Sequence, residues 1–235
     1  MVQKKLHKAL SSVDWNANVS EFLKDNAACE TIANCNLRLA LWSKQFEVAD
    51  AGNPALSFTR EMQVAANHVS ALISLALYKP AASAMRTILE TALYYTYFRT
   101  HHTELATLVR ETKFFLWKSK LLEYHMTHTP SFNDFQNQFG LIGNLDSWYK
   151  HVSCIVHGQI PGGWLEHKSL RNTKHVKKTL GIVVDSFSKG EQIVHQLFLC
   201  TVAQELWHDF ESSAKKLLTK GIPRKTRFAL RIDTA

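Results

Sequence analysis

Turn-forming residues are scarce in this chain, with nine glycines and five prolines in 235 positions. A globular average would be about 7% glycine and about 5% proline. Sandwiches, barrels and other many-stranded folds need a turn signal about every 8–12 positions, so the deficit argues against them. Cysteine is sparse as well. Cys29, Cys35, Cys154 and Cys200 are spread along the chain with no C-x-x-C, which leaves no zinc ribbon, dithiol redox site or dense disulfide scaffold to expect. Reduced thiols packed in a helical core, inside a cell, are the expectation. Long apolar runs are missing too: 69–78 holds two serines and then meets Lys79-Pro80, well short of the about 20 residues that span a bilayer. The opening Met-Val-Gln-Lys-Lys-Leu carries charge with no apolar run after it, so neither a secretory signal nor a membrane span is expected, and the cytoplasm is the default location. Acids are fewer than bases, 20 against 28, for a formal net charge of +8.

What the chain does have is hydrophobic and aromatic content, 46% and 11%, enough to argue against disorder and for one large core. Helical spacing dominates. It predicts a helix from about 20 to 48, stopped by Gly52-Asn53-Pro54, and a second over 55–78. Pro80 is suited to the start of a third helix over 81–99, apolar on nearly every side and therefore central. A fourth is expected over 103–126, a loop or short helix over 133–140, and a fifth over 145–157, stopped by Gly158. Helical spacing resumes at 176 and runs to 218, with a break possible at Lys189-Gly190. No repeat or compositional shift divides the chain. The expectation is all-α: a single helical domain over 1–235, a bundle of about five to seven helices with a core over about 20–218 and a basic tail over 219–235.

Phosphate-binding loops, dinucleotide turns, nucleophile elbows and H-E-x-x-H are absent from the sequence. Glu205-Leu-Trp-His208 supplies one E-x-x-H, but a carboxylate-bridged di-metal bundle needs two. His125 and His128, at i and i+3, find no acidic or thiol partner nearby and read as a surface pair. No metal and no cofactor are expected.

The most informative stretch is Asp146-Ser-Trp-Tyr-Lys-His-Val-Ser-Cys-Ile-Val-His-Gly158. On a helix, Asp146, Lys150, Ser153 and His157 fall within about a 60° arc, opposite Leu145, Trp148, Val152 and Ile155. One face thus holds a carboxylate, an amine, a hydroxyl and an imidazole in line. A histidine on the last turn is suited to general acid or base work near neutral pH. The alternative is an ordinary polar face whose terminal His-Gly is a C-cap. Arg86 and Glu90 form a second pair, one turn apart on the most apolar helix. Charges there either tie two helices together or face a polar pocket.

Taken together, Tyr78-Lys-Pro-Ala-Ala-Ser-Ala-Met-Arg86-Thr-Ile-Leu-Glu90 and Tyr149-Lys-His-Val-Ser153-Cys-Ile-Val-His157-Gly158 resemble the HEPN-like helical bundles of bacterial anti-phage defence and abortive-infection systems. The nearest are members with an arginine–glutamate helix and a later Y-x-x-x-S-x-x-V-H-G helix. The resemblance spans about 60–215 by architecture and rests on those two segments. It implies a metal-independent ribonuclease site in which a histidine and an arginine act on the 2′-hydroxyl and the scissile phosphate, usually across a dimer interface. Carried over, His157 takes the histidine position, Lys150 the arginine position and His151 the adjacent polar position, with Tyr149 and Ser153 in support. Lysine cannot grip a phosphate with two parallel bonds as arginine does. The resemblance therefore implies first a non-catalytic or weakly catalytic subunit of a defence complex that binds a partner protein, or a homodimer. The alternative it implies is an endoribonuclease using His157 as general acid/base. A small-nucleotide or signal-binding bundle with Arg86 in its pocket is a third reading.

Two basic clusters point to partners. Lys168, Arg171, Lys174, Lys177 and Lys178 follow the motif helix. Lys215, Lys216, Lys220, Arg224, Lys225, Arg227 and Arg231 close the chain. Such patches attract RNA or DNA backbones without reading sequence, or an acidic protein surface.

Overall fold

A computed structural model describes residues 2–164 and 169–232, all helical or irregular and with no strand among them. Five long helices carry the bundle: α3 (Asn26–Ala49), α4 (Leu56–Ser74), α5 (Tyr78–Phe98), α9 (Leu141–Val156) and α10 (Lys177–Cys200). Eight shorter α-helical segments stand between and around them: α1 (Val2–Leu10), α2 (Trp15–Phe22), α6 (His102–Arg110), α7 (Lys118–His128), α8 (Phe132–Phe139), α11 (Ala203–Leu206), α12 (Ser212–Leu218) and α13 (Arg224–Ala229). The described residues therefore hold thirteen α-helical segments, more than the five to seven expected.

Each extra break has a local cause. The helix expected from 20 splits because Asp25 accepts a hydrogen bond from Ala28 N (3.1 Å) and caps α3 afresh. The helix expected to reach 78 ends at Ser74. There Ala76 takes φ +59° and the Leu77 N–H donates back to the Leu72 carbonyl (2.8 Å), a Schellman-type stop built without glycine. Pro80 then sits in the first turn of α5, where its missing N–H has no partner to lose. The helix expected over 103–126 is interrupted between Arg110 and Lys118. Across that gap the chain alternates: Phe114 and Leu116 are half-buried, Phe115 and Trp117 exposed, a two-residue period suited to extended backbone.

Trp42 is fully buried at the centre, with Phe46 and Phe198 each 5.3 Å away between ring centroids and Phe210 at 5.8 Å. These rings join α3, α10 and the turn after α11. α5 is buried on most sides, as its composition predicts. α10 runs without interruption through Lys189-Gly190. Gly190 is a packing notch rather than a break: a Cβ there would lie 2.4 Å from Cζ2 of Trp148. Trp148 of α9 also donates through Nε1 to the Ser186 carbonyl (2.8 Å), so α9 is fastened to α10 by that indole.

The segment expected as a basic tail from 219 folds back on the bundle. Leu230 and Ile232 are buried, and their carbonyls accept from Gln204 Nε2 (2.9 Å) and Trp207 Nε1 (3.0 Å). Its lysines and arginines mask two apolar anchors spaced two apart. All four cysteines are free thiols; Cys35 and Cys200 are buried, Cys29 and Cys154 partly so. No helix of the described residues is long and apolar enough to cross a membrane.

Candidate functional site

With Trp148 turned into α10, the next side chain, Tyr149, must point towards α5. There it meets Arg86 and Glu90. The Tyr149 hydroxyl donates to Glu90 Oε1 (2.7 Å), and Arg86 Nη2 donates both to that hydroxyl (2.8 Å) and to Glu90 Oε1 (2.7 Å). The guanidinium carbon also lies 4.9 Å from the centroid of the Tyr149 ring. The other amino nitrogen, Nη1, donates to His157 Nε2 at 3.2 Å. The two segments that looked like separate features of the sequence therefore form one cluster.

The end of α9 fixes the histidine. His157 is the C-cap residue, and Gly158 follows at φ +69°. The Gly158 and Gln159 N–H groups donate to the Ile155 (3.2 Å) and Cys154 (2.9 Å) carbonyls, which is the full Schellman arrangement. The C-cap reading of the His-Gly pair holds: His157 terminates the helix, and its exposed imidazole meets Arg86. A Cβ on Gly158 would approach Lys79 Nζ to 3.4 Å, so a second cation lies against the turn that ends α9.

Protonation follows from these partners. Arginine donates only, so His157 Nε2 acts as acceptor and the neutral ring carries its proton on Nδ1. Burial works against the charge on Arg86, but the bond and charge of Glu90 outweigh it and hold its pKa above the ordinary value. Burial, then the bond to Glu90, raise the pKa of Tyr149 and keep its phenol protonated. A cleft of about 190 Å³ opens over the Arg86, Glu90 and Tyr149 side of this cluster, lined also by Lys118, Tyr94 and Trp117, with His157 outside its lining. Lys118 Nζ stands 5.3 Å from the Tyr149 ring centroid and is ion-paired with Asp146.

Lys118 was not singled out in the sequence because it lies beyond the break after Arg110, inside what periodicity read as a continuous helix. The only signal was its position after two exposed aromatics. The other residues of the motif helix separate from the cluster. Lys150 is exposed, with no hydrogen bond or ion pair among the described residues. His151 is exposed, its ring 6.2 Å from that of Trp164. Ser153 is half-buried, and its Oγ has no hydrogen-bond partner. The arginine beside the histidine comes from α5 and not from the Lys150 position.

Arg171, Lys174, Lys177 and Lys178 are exposed around the start of α10. Their segment is clamped by His175, whose Nδ1 meets the Tyr78 hydroxyl (2.6 Å) and whose Nε2 meets the carbonyls of Asn18 and Ser74 (3.1 Å each). Lys168 lies outside the described residues. Arg224 and Lys225 are exposed on α13, and Arg227 is half-buried.

The metal-ligand motif of the sequence is dispersed. Glu205 accepts from Arg99 Nη1 (2.5 Å), while His208 faces solvent beside Asp209. Among the described residues no group of three His, Cys, Asp or Glu is placed to hold a metal. His125 is not a surface residue, as the i, i+3 spacing with His128 suggested. It is buried between Thr96 (2.9 Å) and Thr129 (2.8 Å), and burial pushes its pKa down to about 4.

Comparisons with protein-family models, with curated proteins and with solved structures give no match to this chain.

Proposed function

We propose that the α5–α9 cluster is a phosphodiester site and that the protein is a metal-independent, HEPN-like RNA-cleaving effector of bacterial defence. The observation that carries this reading is the 3.2 Å contact between Arg86 Nη1 and His157 Nε2 at an exposed position. It pairs an imidazole with the guanidinium that the motif helix itself lacks. Arginine suits the role because its planar fork matches phosphate geometry and stays charged.

The chemistry follows from the bonds already made. A bound phosphate takes over the Arg86 Nη1–H, which frees His157 Nε2. That nitrogen accepts the proton of the 2′-hydroxyl; the 2′-oxygen attacks phosphorus and the bond to the 5′-oxygen breaks. The imidazolium gives its proton to the departing 5′-oxygen, leaving a 2′,3′-cyclic phosphate and a 5′-hydroxyl. No electrons are exchanged, and the step draws on no reagent besides RNA. Glu90 and Tyr149 hold the guanidinium in place, and Lys79, Lys118 and the exposed lysines at the start of α10 draw in the backbone.

A second reading, a non-catalytic subunit that docks on a partner protein, is favoured by one feature. Phe115 and Trp117 stand exposed beside the cleft, their rings 4.8 Å apart between centroids, and exposed aromatics of this kind anchor protein interfaces. The experiment that separates the two is incubation of the purified chain with single-stranded RNA and with transfer RNA in chelator. Cleavage that disappears in His157→Ala supports the effector. Intact RNA, with a stoichiometric protein partner recovered through Phe115 and Trp117, supports the subunit.

A further inference from the structure

A second cleft lies on the opposite flank of α9, lined by none of the hydrogen-bonded residues of the Arg86–His157 cluster. It runs along α10 in two parts that share Gln192 and Gln196. The wider part, about 540 Å³, is bounded by Trp148, Ile182 and Ile193, with the amide of Asn144 at its edge. The narrower part, about 370 Å³, is bounded by Arg38, His195, Lys220 and Phe139, and closed by the turn at Gly221 and Pro223.

The narrow part is a collection of donors. His195 is buried deep in the bundle, yet its ring forms part of this wall. Trp42 Nε1 donates to its Nδ1 (3.0 Å), so the neutral ring carries its proton on Nε2. That N–H has no partner. Burial, helped by the nearby charge of Arg38, pushes the His195 pKa down to about 3, so the ring stays an uncharged donor. A buried N–H left unpaired costs about 1–3 kcal/mol; the nitrogen sits just beneath the cleft wall, shielded from solvent, and a phosphate acceptor reaches it when the side chains over it give way. Arg38 donates through Nε to one oxygen of Glu191 and through Nη2 to the other. Glu191 is thereby turned away from the opening with both oxygens engaged, while Nη1 of Arg38 is left over. Lys220 adds an ammonium at the rim. No other carboxylate lines this part.

The wide part supplies the complementary chemistry. Trp148, Ile182 and Ile193 make an apolar wall, and the amides of Asn144, Gln192 and Gln196 each offer both a donor and an acceptor. Ser186, buried there, has an Oγ without a partner. Asp185, its charge met by Lys189 (2.7 Å), and His151 stand along the same part; an apolar wall with a few convergent polar groups, in a space of this size, is the usual form of a small-ligand site.

We infer that this bipartite cleft binds a nucleoside monophosphate, its phosphate against Arg38, His195 and Lys220 and its base between Trp148 and the amides. The site is independent of the Arg86–His157 cluster and stands or falls separately from it.

The test is isothermal titration of the full chain with each of the four ribonucleoside monophosphates, with adenosine and with inorganic phosphate. At least one monophosphate is expected to saturate one site, with adenosine and inorganic phosphate about tenfold or more weaker. Lys220→Glu, at an exposed rim position, is expected to weaken the monophosphate about tenfold and leave adenosine unchanged. Ser147 also lines the wide part; Ser147→Trp, which fills it, is expected to weaken both, while His157→Ala changes neither. Circular dichroism of each variant checks that it is folded. The inference is overturned if no monophosphate gives saturable binding, if inorganic phosphate binds as well as the nucleotide, or if folded Lys220→Glu and Ser147→Trp bind like the parent. It is equally overturned if His157→Ala alone abolishes binding, which would move the nucleotide to the other site.

Discussion

Arg86 on α5 and His157 at the end of α9 are 71 positions apart in the chain, and their side chains meet at 3.2 Å. The contact depends on Trp148 turning one face of α9 into the Gly190 notch, so that Tyr149 and His157 turn towards α5. It gives the motif helix an arginine that its own sequence does not contain.

The notch sets a stability prediction. Gly190→Ala places a methyl 2.4 Å from the Trp148 ring, and overpacking of that kind costs about 1–3 kcal/mol. Gly181, on the same helix, has open space where a Cβ would stand, so Gly181→Ala is expected to stabilise by about 0.5–1 kcal/mol through helix propensity. Urea unfolding of the two variants should shift the midpoint in opposite directions. Gly190→Ala should also lower whatever activity depends on the seating of α9.

A second prediction concerns acid. His125 and His195 are buried neutral, with pKa values pushed down to about 4 and about 3 from about 6.5 in the unfolded chain. A depressed histidine contributes stability that is present above pH 6.5 and is lost as the pH falls towards the folded value. The unfolded state binds the extra proton, so each histidine should subtract up to about 1.4 kcal/mol per pH unit below 6.5. Denaturant midpoints measured between pH 7.5 and 4.5 should fall steeply, and His125→Asn should flatten part of that slope.

The ion pair between Arg38 and Glu191 gives a third. The Glu191 side chain is fully buried and Arg38 is about one-third exposed. Removing Arg38 alone leaves an uncompensated buried carboxylate, a loss of about 3–5 kcal/mol, while an apolar pair in its place is often tolerated. Arg38→Met should therefore be strongly destabilising and Arg38→Met/Glu191→Leu much less so. Thermal unfolding of the two variants is the check.

The helical class was legible in the glycine and proline deficit and in the apolar spacing, and the central place of α5 in its near-continuous apolar surface. The breaks were not. Ala76 adopts a left-handed conformation without glycine or asparagine, and the alternation of 114–117 is concealed inside an aromatic run. Both are set by tertiary packing. The candidate cluster was half legible. His157, Tyr149, Arg86 and Glu90 were all visible, but single-helix geometry pairs His157 with Lys150, because a helical wheel knows only its own neighbours. That Arg86 replaces Lys150 beside the imidazole depends on how α9 is rotated against α5, which Trp148 and Gly190 decide.

The exposed lysines at the start of α10 lead to a fourth prediction. If they hold an RNA backbone, binding is by counterion release. Replacing Lys174, Lys177 and Lys178 together with glutamate should weaken single-stranded RNA binding about tenfold or more at low salt. The difference should shrink as salt is raised. Fluorescence anisotropy across a salt series measures it.

The most direct test compares RNA cleavage rates, in chelator, of the parent chain, Arg86→Ala, His157→Ala and the double variant, with Lys150→Ala beside them. Two groups working on one phosphodiester are expected to lower the rate by about 100-fold or more when either is removed, with little further loss in the double variant. Lys150→Ala should stay close to the parent, and the products should end in a 2′,3′-cyclic phosphate. A parent chain that leaves RNA intact, or folded Arg86→Ala and His157→Ala variants that cleave at the parent rate, would contradict the reading of this cluster as a phosphodiester site.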